Sequence, residues 1–281
     1  MLQRLVANWL RQQAQEAVMS TLNPDISTEE NASGSSEPQN VLVACFFPSG
    51  GEAGGFIDKL SNVSMTKCNG FVERIGSLSE RTIVVVESSL PHEQLAPAVR
   101  DVLVLREPKW AMACGFAVSL AEKVRRGSIV VADRIIDEQD YSLNTGTKMP
   151  ESKGLHVGSL LTRETLPTQA QKKNLSATGA LATETQAAVV AEVSRLQKCP
   201  MMAVHCVAQA FNERPSSILN KVKSQDSIAG IVGAAAGALL DQPGSVKEFW
   251  NDKEASLKNS DRLASFLADV LQQLPSHREE T

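Results

Sequence analysis

Hydrophobic positions follow different patterns in the two parts of the chain. Residues 1–22 carry apolar side chains at helical spacing, which predicts an amphipathic helix with one apolar stripe. Residues 23–40 are polar, acidic and rich in serine, asparagine and proline, a composition typical of a flexible linker. The pattern therefore predicts a helix over 1–22, a linker over 23–40, a main domain over 41–275 and a polar tail over 276–281.

Beyond residue 40, short apolar runs alternate with segments of helical spacing. Strands are predicted at VLVACFF, RTIVVVESSL, WAMACGFAV, GSIVVADRII and residues 201–207, and helices at FIDKLSNV, LAPAVRDVLVL, TETQAAVVAEVSRLQ and residues 246–250 and 261–274. This alternation predicts an α/β fold whose mainly parallel or mixed sheet is covered by helices on both faces. Ligands of such folds bind at the carboxyl ends of the strands, so polar residues there are candidates for function.

Composition narrows the function classes. The formal net charge of −4 argues against nucleic acid as a partner, because nucleic-acid binding normally needs a concentrated basic patch. The longest apolar stretch, residues 228–240, is too short to span a bilayer. Five scattered cysteines show no metal-ligand spacing, which predicts no metal site and favours free thiols in a reducing cytoplasm. Cys114 is predicted to precede a Gly-containing turn, which makes it a candidate nucleophile, but only a minor one because no histidine lies near it in sequence.

The predicted N-terminal helix has two interpretations. It docks on the main domain, or it binds a protein partner or takes part in assembly. Few cations lie on its polar face, which argues against a membrane surface as its partner.

Two of the strand ends carry polar side chains that could act on a ligand. The turn PSGGEAGG lacks the ending of a phosphate-binding loop, but its Glu52 could serve as a general base. The segment VESSLPHE offers Ser88 as a hydrogen-bonding group, while the absence of a GxSxG pattern argues against a serine nucleophile. We expect His92 in this segment to be a surface loop residue, and His205, within an apolar strand, to belong to the core or to a pocket wall.

The order of these segments resembles the nucleoside phosphorylase and nucleosidase superfamily. WAMACGFAVSLAEKVRRGSIVVADRIID is similar to the Gly-rich segment and following strand of that family, and VLVACFFPSGGEAGGFIDKL to its first strand and Glu-containing loop. TGALATETQAAVVAEVSRLQKCPMMAVHCVAQ looks like its Asp-Met-Glu helix and last core strand, and DSIAGIVGAAAGALLDQPGSVKEFW is closest to the hopanoid-associated phosphorylase branch. The resemblance covers about Val41 to Leu274 and implies a three-layer α/β/α fold with a central mixed sheet.

This resemblance implies an activity and a partner class. The family cleaves the N-glycosidic bond of nucleosides without a cofactor, with phosphate as the acceptor in phosphorylases and water in nucleosidases, and its members commonly form homo-oligomers. Inorganic phosphate is therefore an alternative co-substrate. The matched segments assign Glu52 to water activation and place Ser88, Gly115, Phe116 and Leu166 around the substrate.

At the family's acidic positions this sequence departs from the pattern. The Asp-Met-Glu triplet corresponds to Glu184, Thr185 and Gln186, the Ser-Asp pair to Ala208 and Gln209, and the arginine of the last core strand to His205. A glutamine can hydrogen-bond a ligand but cannot donate a proton as an acid does, and losing a general acid costs ~10²- to 10⁴-fold in rate. Two interpretations therefore remain open. One is a divergent nucleoside-cleaving enzyme that uses Glu52, with Gln209 at the position of the family's acid and Glu184 as a further candidate. The other is a catalytically inactive nucleoside-binding or assembly module.

Overall fold

A computed structural model of the chain describes residues 40–213 and 243–274. The predicted N-terminal helix and nearly all of the predicted linker, the apolar stretch 228–240 and the tail from 276 lie outside these residues. The chain divides into two compact units, Pro38–Arg214 with Glu254–Thr281, and Met1–Glu37 with Pro215–Lys253. Of the second unit, the structure describes only the first part of the last helix.

Ten strands and five α-helices form the described part of the chain. The strands are β1 (Val41–Phe47), β2 (Ser61–Cys68), β3 (Phe71–Leu78), β4 (Arg81–Glu87), β5 (Trp110–Ser119), β6 (Ile129–Ile136), β7 (Ser142–Asn144), β8 (Leu155–Thr162), β9 (Ala182–Glu184) and β10 (Met201–Gln209). The helices are α1 (Gly50–Ile57), α2 (His92–Arg106), α3 (Gln169–Leu175), α4 (Ala187–Leu196) and α5 (Pro243–Gln273).

All ten strands belong to one mixed sheet. The order is β10-β6-β8-β9-β5-β1-β4-β3-β2, and β7 pairs with β6. An additional pairing of β10 with β5 closes the first five strands of this order into a ring. The central strands β1, β4, β5 and β10 run parallel, so their carboxyl ends lie at the same edge of the sheet.

Helices cover both faces of the sheet, as the sequence predicts. On one face, α2 and α4 pack residues such as Leu95, Val99 and Val190 against β1, β4 and β5. On the other, α1 and α5 contribute Phe56 and Leu267 to a second buried cluster. Strand interiors are apolar on both faces because both are covered, and the predicted three-layer α/β/α arrangement is confirmed.

The bounds of three predicted helices were wrong. The helix predicted at FIDKLSNV ends at Ile57, and its last residues enter β2. That strand was missed because it lies at the sheet edge and is almost entirely exposed, so its sequence lacks a buried run. The two predicted C-terminal helices form the single helix α5. Among residues 40–213 and 243–274, no helix is long and apolar enough to cross a membrane.

Candidate functional site

Glu52 lies in the first turn of α1, directly after β1, and its side chain reaches the end of β5. Its Oε2 accepts a hydrogen bond from the backbone N–H of Phe116 at 2.5 Å, and the Ser49 hydroxyl donates to its Oε1 at 3.2 Å. Gly115 makes this approach feasible because a Cβ there would lie 2.6 Å from Oε2, and because its φ of 154° disfavours other residues. Three predicted site residues, Glu52, Gly115 and Phe116, are thus brought together.

Gln186 joins the same strand ends from the opposite face of the sheet. It is buried immediately before α4, and its Nε2 donates to the carbonyl oxygen of Phe46 at 2.8 Å and of Cys114 at 3.3 Å. A carboxylate in this place would set an anionic oxygen against two carbonyl oxygens. The amide therefore acts as a structural bridge between β1 and β5.

Glu184, at the end of β9, is a buried anion beneath the first turn of α4. Its carboxylate accepts from the Thr162 hydroxyl at 2.5 Å and from the backbone N–H groups of Gln186 and Ala187 at 2.7 and 2.9 Å. Its Oε2 also lies 3.5 Å from Nε2 of the fully buried His205. Burial raises the pKa of Glu184, but His205, Thr162 and the Gln186 N–H together outweigh burial and leave the pKa below its ordinary value.

His205, predicted to belong to the core or to a pocket wall, lies fully buried inside β10. Neither ring nitrogen makes a well-aligned hydrogen bond within the described residues. At 3.5 Å, the distance from Nε2 to the Glu184 carboxylate is too long for a strong bond. In the register of the sheet His205 lies opposite Gly115. The Glu184–His205 pair therefore lies beside the part of β5 that Glu52 contacts.

Gln209 ends β10 opposite Val118, two residues beyond Phe116 along β5. Its Nε2 donates to the backbone carbonyl of Glu213 at 2.7 Å. The Glu213 carboxylate accepts from the N–H of Ala210 at 3.0 Å, and so closes a tight turn after the strand. At the position that corresponds to the family's acid, one of the two N–H donors of an amide is thus engaged by the protein itself.

Two cations from neighbouring segments hold this turn. Lys172 of α3 is fully buried and directs its Nζ at carbonyls of the turn. Arg126 donates to the carbonyl of Ala208 at 2.8 Å and pairs with the Glu213 carboxylate at 3.0 Å. Neither cation belongs to a recognisable motif, so sequence reasoning missed both.

Ser88 lies at the end of β4, beside a cavity of about 450 Å³ that is open to solvent. Its hydroxyl donates to the carbonyl of Gly70 at 3.3 Å and accepts from the N–H of Leu90 at 3.3 Å. Lys67 and Glu87 also line the cavity, and Glu87 is paired with Arg74 at 2.6 Å. The cavity wall therefore carries hydroxyls, a cation and a neutralised carboxylate next to the ends of β1 and β4.

Two predictions for single residues were wrong. His92 is not in a surface loop: it begins α2, is half-buried, and its Nε2 lies 2.6 Å from the carbonyl of Thr185, one of the predicted site residues. Cys114 does not precede a turn: it lies fully buried inside β5, and burial raises the pKa of its thiol well above the ordinary value. A protonated, inaccessible thiol does not act as a nucleophile.

One predicted substrate-binding residue, Leu166, makes no described contact with the residues above. Leu166 lies between β8 and α3 with 42% of its surface exposed. No group of three or more histidine, cysteine or acidic side chains in the described ranges is arranged to hold a metal ion.

Comparison with known proteins identifies solved structures with a similar fold. No family model and no curated protein matches the chain. Solved structures do. The 5′-methylthioadenosine/S-adenosylhomocysteine nucleosidase of Campylobacter jejuni has a TM-score of 0.62 at 12% identity, over 83% of this chain and 100% of that one. The Streptococcus pneumoniae nucleosidase, with the transition-state inhibitor MT-ImmA, has a TM-score of 0.60 at 15% identity, over 84% and 100% of the two chains. The chain therefore has the nucleoside phosphorylase and nucleosidase fold.

Proposed function

We propose that this protein binds a nucleoside-type small molecule at the carboxyl ends of β1, β5 and β10 without cleaving its N-glycosidic bond. The observation that carries the proposal is the state of two glutamines. The amide nitrogen of Gln186 donates to two backbone carbonyls and that of Gln209 to one, at positions that correspond to acids in the family. At these two positions the backbone carbonyls match the hydrogen-bond donors of an amide and would not match a carboxylate.

Three features support binding. Glu52 supplies an acceptor at the end of β5, and Gln209 supplies polar atoms two residues farther along that strand. Two residues of strand span about 7 Å, a distance comparable to that between a sugar and the far edge of its base. The open cavity beside Ser88 adds space at the same edge of the sheet. Solved structures with this fold hold a nucleoside-like inhibitor, which supports the same ligand class here.

The electrostatics of the site argue against cleavage. In the family's reaction the leaving base must take up a proton or a strong hydrogen bond as the bond to the sugar breaks. A neutral amide is no acid, and one of the two N–H donors of Gln209 already meets the Glu213 carbonyl. The absence of this group alone costs ~10²- to 10⁴-fold in rate.

A second candidate function is slow hydrolysis, and the retained Glu52 favours it. Its carboxylate lies at a strand end where it could take a proton from a water molecule that attacks the sugar. The departing base would then be protonated by solvent. Inorganic phosphate as the attacking group instead of water stays a prediction.

One assay separates the two functions. The full chain is titrated calorimetrically with adenosine, inosine and 5′-methylthioadenosine, and each mixture is then incubated with and without phosphate while free base is measured by chromatography. Binding without release of base supports the proposal. Release that disappears in Glu52→Gln supports slow hydrolysis, and neither binding nor release rejects both.

A further inference from the structure

The helix that carries Glu52 has little intrinsic stability. Four of the eight residues of α1 are glycines, at positions 50, 51, 54 and 55. Glycine is the weakest helix former after proline, and helices shorter than about 12 residues are marginal in water. The position of the Glu52 side chain at the end of β5 therefore depends on the contacts that α1 makes with other elements.

Apolar packing against α5 is one of these contacts. Phe56 of α1 lies in the same buried cluster as Leu263 and Leu267 of α5. Packing of this kind is not directional, so it keeps the two helices together without fixing how far one has moved along the other. A hydrogen bond is directional and can hold one residue of α1 in a defined place.

Ser260 of α5 supplies this directional contact. It is buried, and its hydroxyl accepts a hydrogen bond from the backbone N–H of Gly55 at 3.0 Å. The same hydroxyl donates to the backbone carbonyl of Glu52 at 3.2 Å. A hydroxyl has one donor and can accept as well, so a single side chain of α5 holds both ends of the turn of α1 from Glu52 to Gly55.

Gly55 lets the backbones of α1 and α5 approach closely enough for this contact. A Cβ at position 55 would lie 2.9 Å from the carbonyl carbon of Ser260 and 3.0 Å from the backbone nitrogen of Asp261, so one helix would have to move. At Gly54, a Cβ would meet no described atom outside its own helix turn within 4 Å. The close approach is therefore confined to the position that Ser260 contacts.

We propose that Ser260 is a positioning residue, which fixes the Glu52 carboxylate at the end of β5 through the backbone of α1. The inference rests on the proposed function, in which Glu52 supplies an acceptor for the ligand. Ser260 holds the Glu52 backbone, and the Glu52 carboxylate accepts from the N–H of Phe116 at 2.5 Å. The affinity of the site for a nucleoside therefore depends on a serine of α5.

The backbone N–H of Phe116 reports the position of Glu52 without a ligand. In NMR spectra of the full chain, its proton shift in Ser260→Ala is expected to move towards the value in Glu52→Ala, where the acceptor is gone. Ser265→Ala is the matched control, because this exposed hydroxyl donates to the Asp261 carbonyl of its own helix. Its Phe116 shift should equal that of wild type. An unchanged Phe116 shift in Ser260→Ala overturns the inference.

A double-mutant cycle in adenosine binding tests whether Ser260 acts through Glu52. Calorimetric titration is expected to give at least about fivefold weaker binding in Ser260→Ala than in wild type. In the Glu52→Ala background the same change has less than about a twofold effect, because the group that Ser260 positions is absent. A merely structural serine would weaken binding by the same factor in both backgrounds, and that result rejects the positioning role.

Two glycines of α1 test the same contact from the other side. Gly55→Ala forces α1 away from Ser260, so it is expected to weaken adenosine binding and to move the Phe116 shift as Ser260→Ala does. Gly54→Ala should leave both at their wild-type values. Melting curves check that each variant is folded. A Gly55→Ala variant that binds adenosine as well as Gly54→Ala does contradicts the inference.

Failure of this inference can be told apart from failure of the proposed function. If wild type and Ser260→Ala bind adenosine equally well, Ser260 has only a structural role and the proposed function stands. If wild type does not bind adenosine, the proposed function fails, and the Phe116 shift alone decides whether Ser260 positions Glu52.

Discussion

By the resemblance, Gln186 stands where the family has a glutamate and differs from it by one heavy atom, whereas Gln209 stands where the family has an aspartate and differs from it by an amide nitrogen and a methylene. Each amide nitrogen meets a backbone carbonyl at 2.7 or 2.8 Å. Sequence comparison could identify the two substitutions, because their positions follow from the spacing of adjacent segments. It could not show which way the amides point, since that depends on carbonyls contributed by other strands and turns.

Restoring the acid at position 186 is therefore expected to harm the protein. Gln186→Glu sets a buried carboxylate against the carbonyls of Phe46 and Cys114 and should lower the free energy of unfolding by about 2 kcal/mol. Urea denaturation measures the loss, and Gln197→Glu, an exposed change after α4, is the control with little effect. A Gln186→Glu variant as stable as wild type would contradict the structural role of this amide.

Because of the buried anion Glu184, the free energy of unfolding is expected to decrease as the pH falls. Its pKa is lower in the folded chain than the ordinary value of 4.5, so the unfolded chain binds this proton more tightly. Its stabilising contribution is therefore complete above about pH 4.5 and is lost as the pH falls through the folded-state pKa.

Glu184→Gln is expected to lower the free energy of unfolding by about 3 kcal/mol at pH 7, because the amide replaces one of the two charged oxygens that accept from Thr162, Gln186 and Ala187 with an N–H donor. The difference from wild type should narrow only below about pH 4.5. Glu192→Gln, at an exposed pair with Arg195, should cost about 0.5 kcal/mol or less. A difference that stayed constant down to pH 3 would contradict the account of Glu184.

At the scale of elements, the buried strands were predictable and the edges of the sheet were not. Strands β1, β4, β5 and β10 stand out because continuous apolar runs are needed where both faces are covered. The exposed strand β2 and the short helix α3 carry no such signal. Because Lys172 and the turn it holds depend on α3, this part of the site could not be predicted from sequence.

The junction of α1 with β5 depends on a glycine, and two glycines provide a matched test. Gly115→Ala places a methyl group 2.6 Å from Oε2 of Glu52 at a positive φ, and should cost about 2 kcal/mol or more while displacing the carboxylate. Gly54→Ala, inside α1 with no atom within 4 Å of the new Cβ, should stabilise by about 0.5–1 kcal/mol. Denaturation of both variants checks this contrast, and equal effects would refute it.

For the whole molecule, the fold is kept at low sequence identity, while the segments that resemble the nucleoside-cleaving family carry glutamines at two of its acidic positions. The sheet order and the packing of both faces require apolar strand interiors, and those are kept at 12–15% identity to solved nucleosidases. The chemistry requires a few acids at strand ends, and these can be replaced without loss of the core. This separation explains why the fold follows from the sequence more readily than activity does.

Assembly is a further property of the whole chain. The amphipathic spacing of residues 1–22 predicts a docking or assembly segment, and the resemblance predicts a homo-oligomer. Deletion of residues 1–40 is expected to lower the mass of the particle in light scattering while leaving the melting temperature of the main domain nearly unchanged. An unchanged particle mass would reject an assembly role for this segment.

The central claim is that nucleosides bind and stay intact. The most direct measurement is to incubate the full chain with excess adenosine, isolate the complex, denature it and quantify adenosine and adenine by mass spectrometry over a day. The account predicts intact adenosine bound to the protein and no adenine above a protein-free control. Adenine that accumulates with time, and no longer does so in Glu52→Gln, would contradict it.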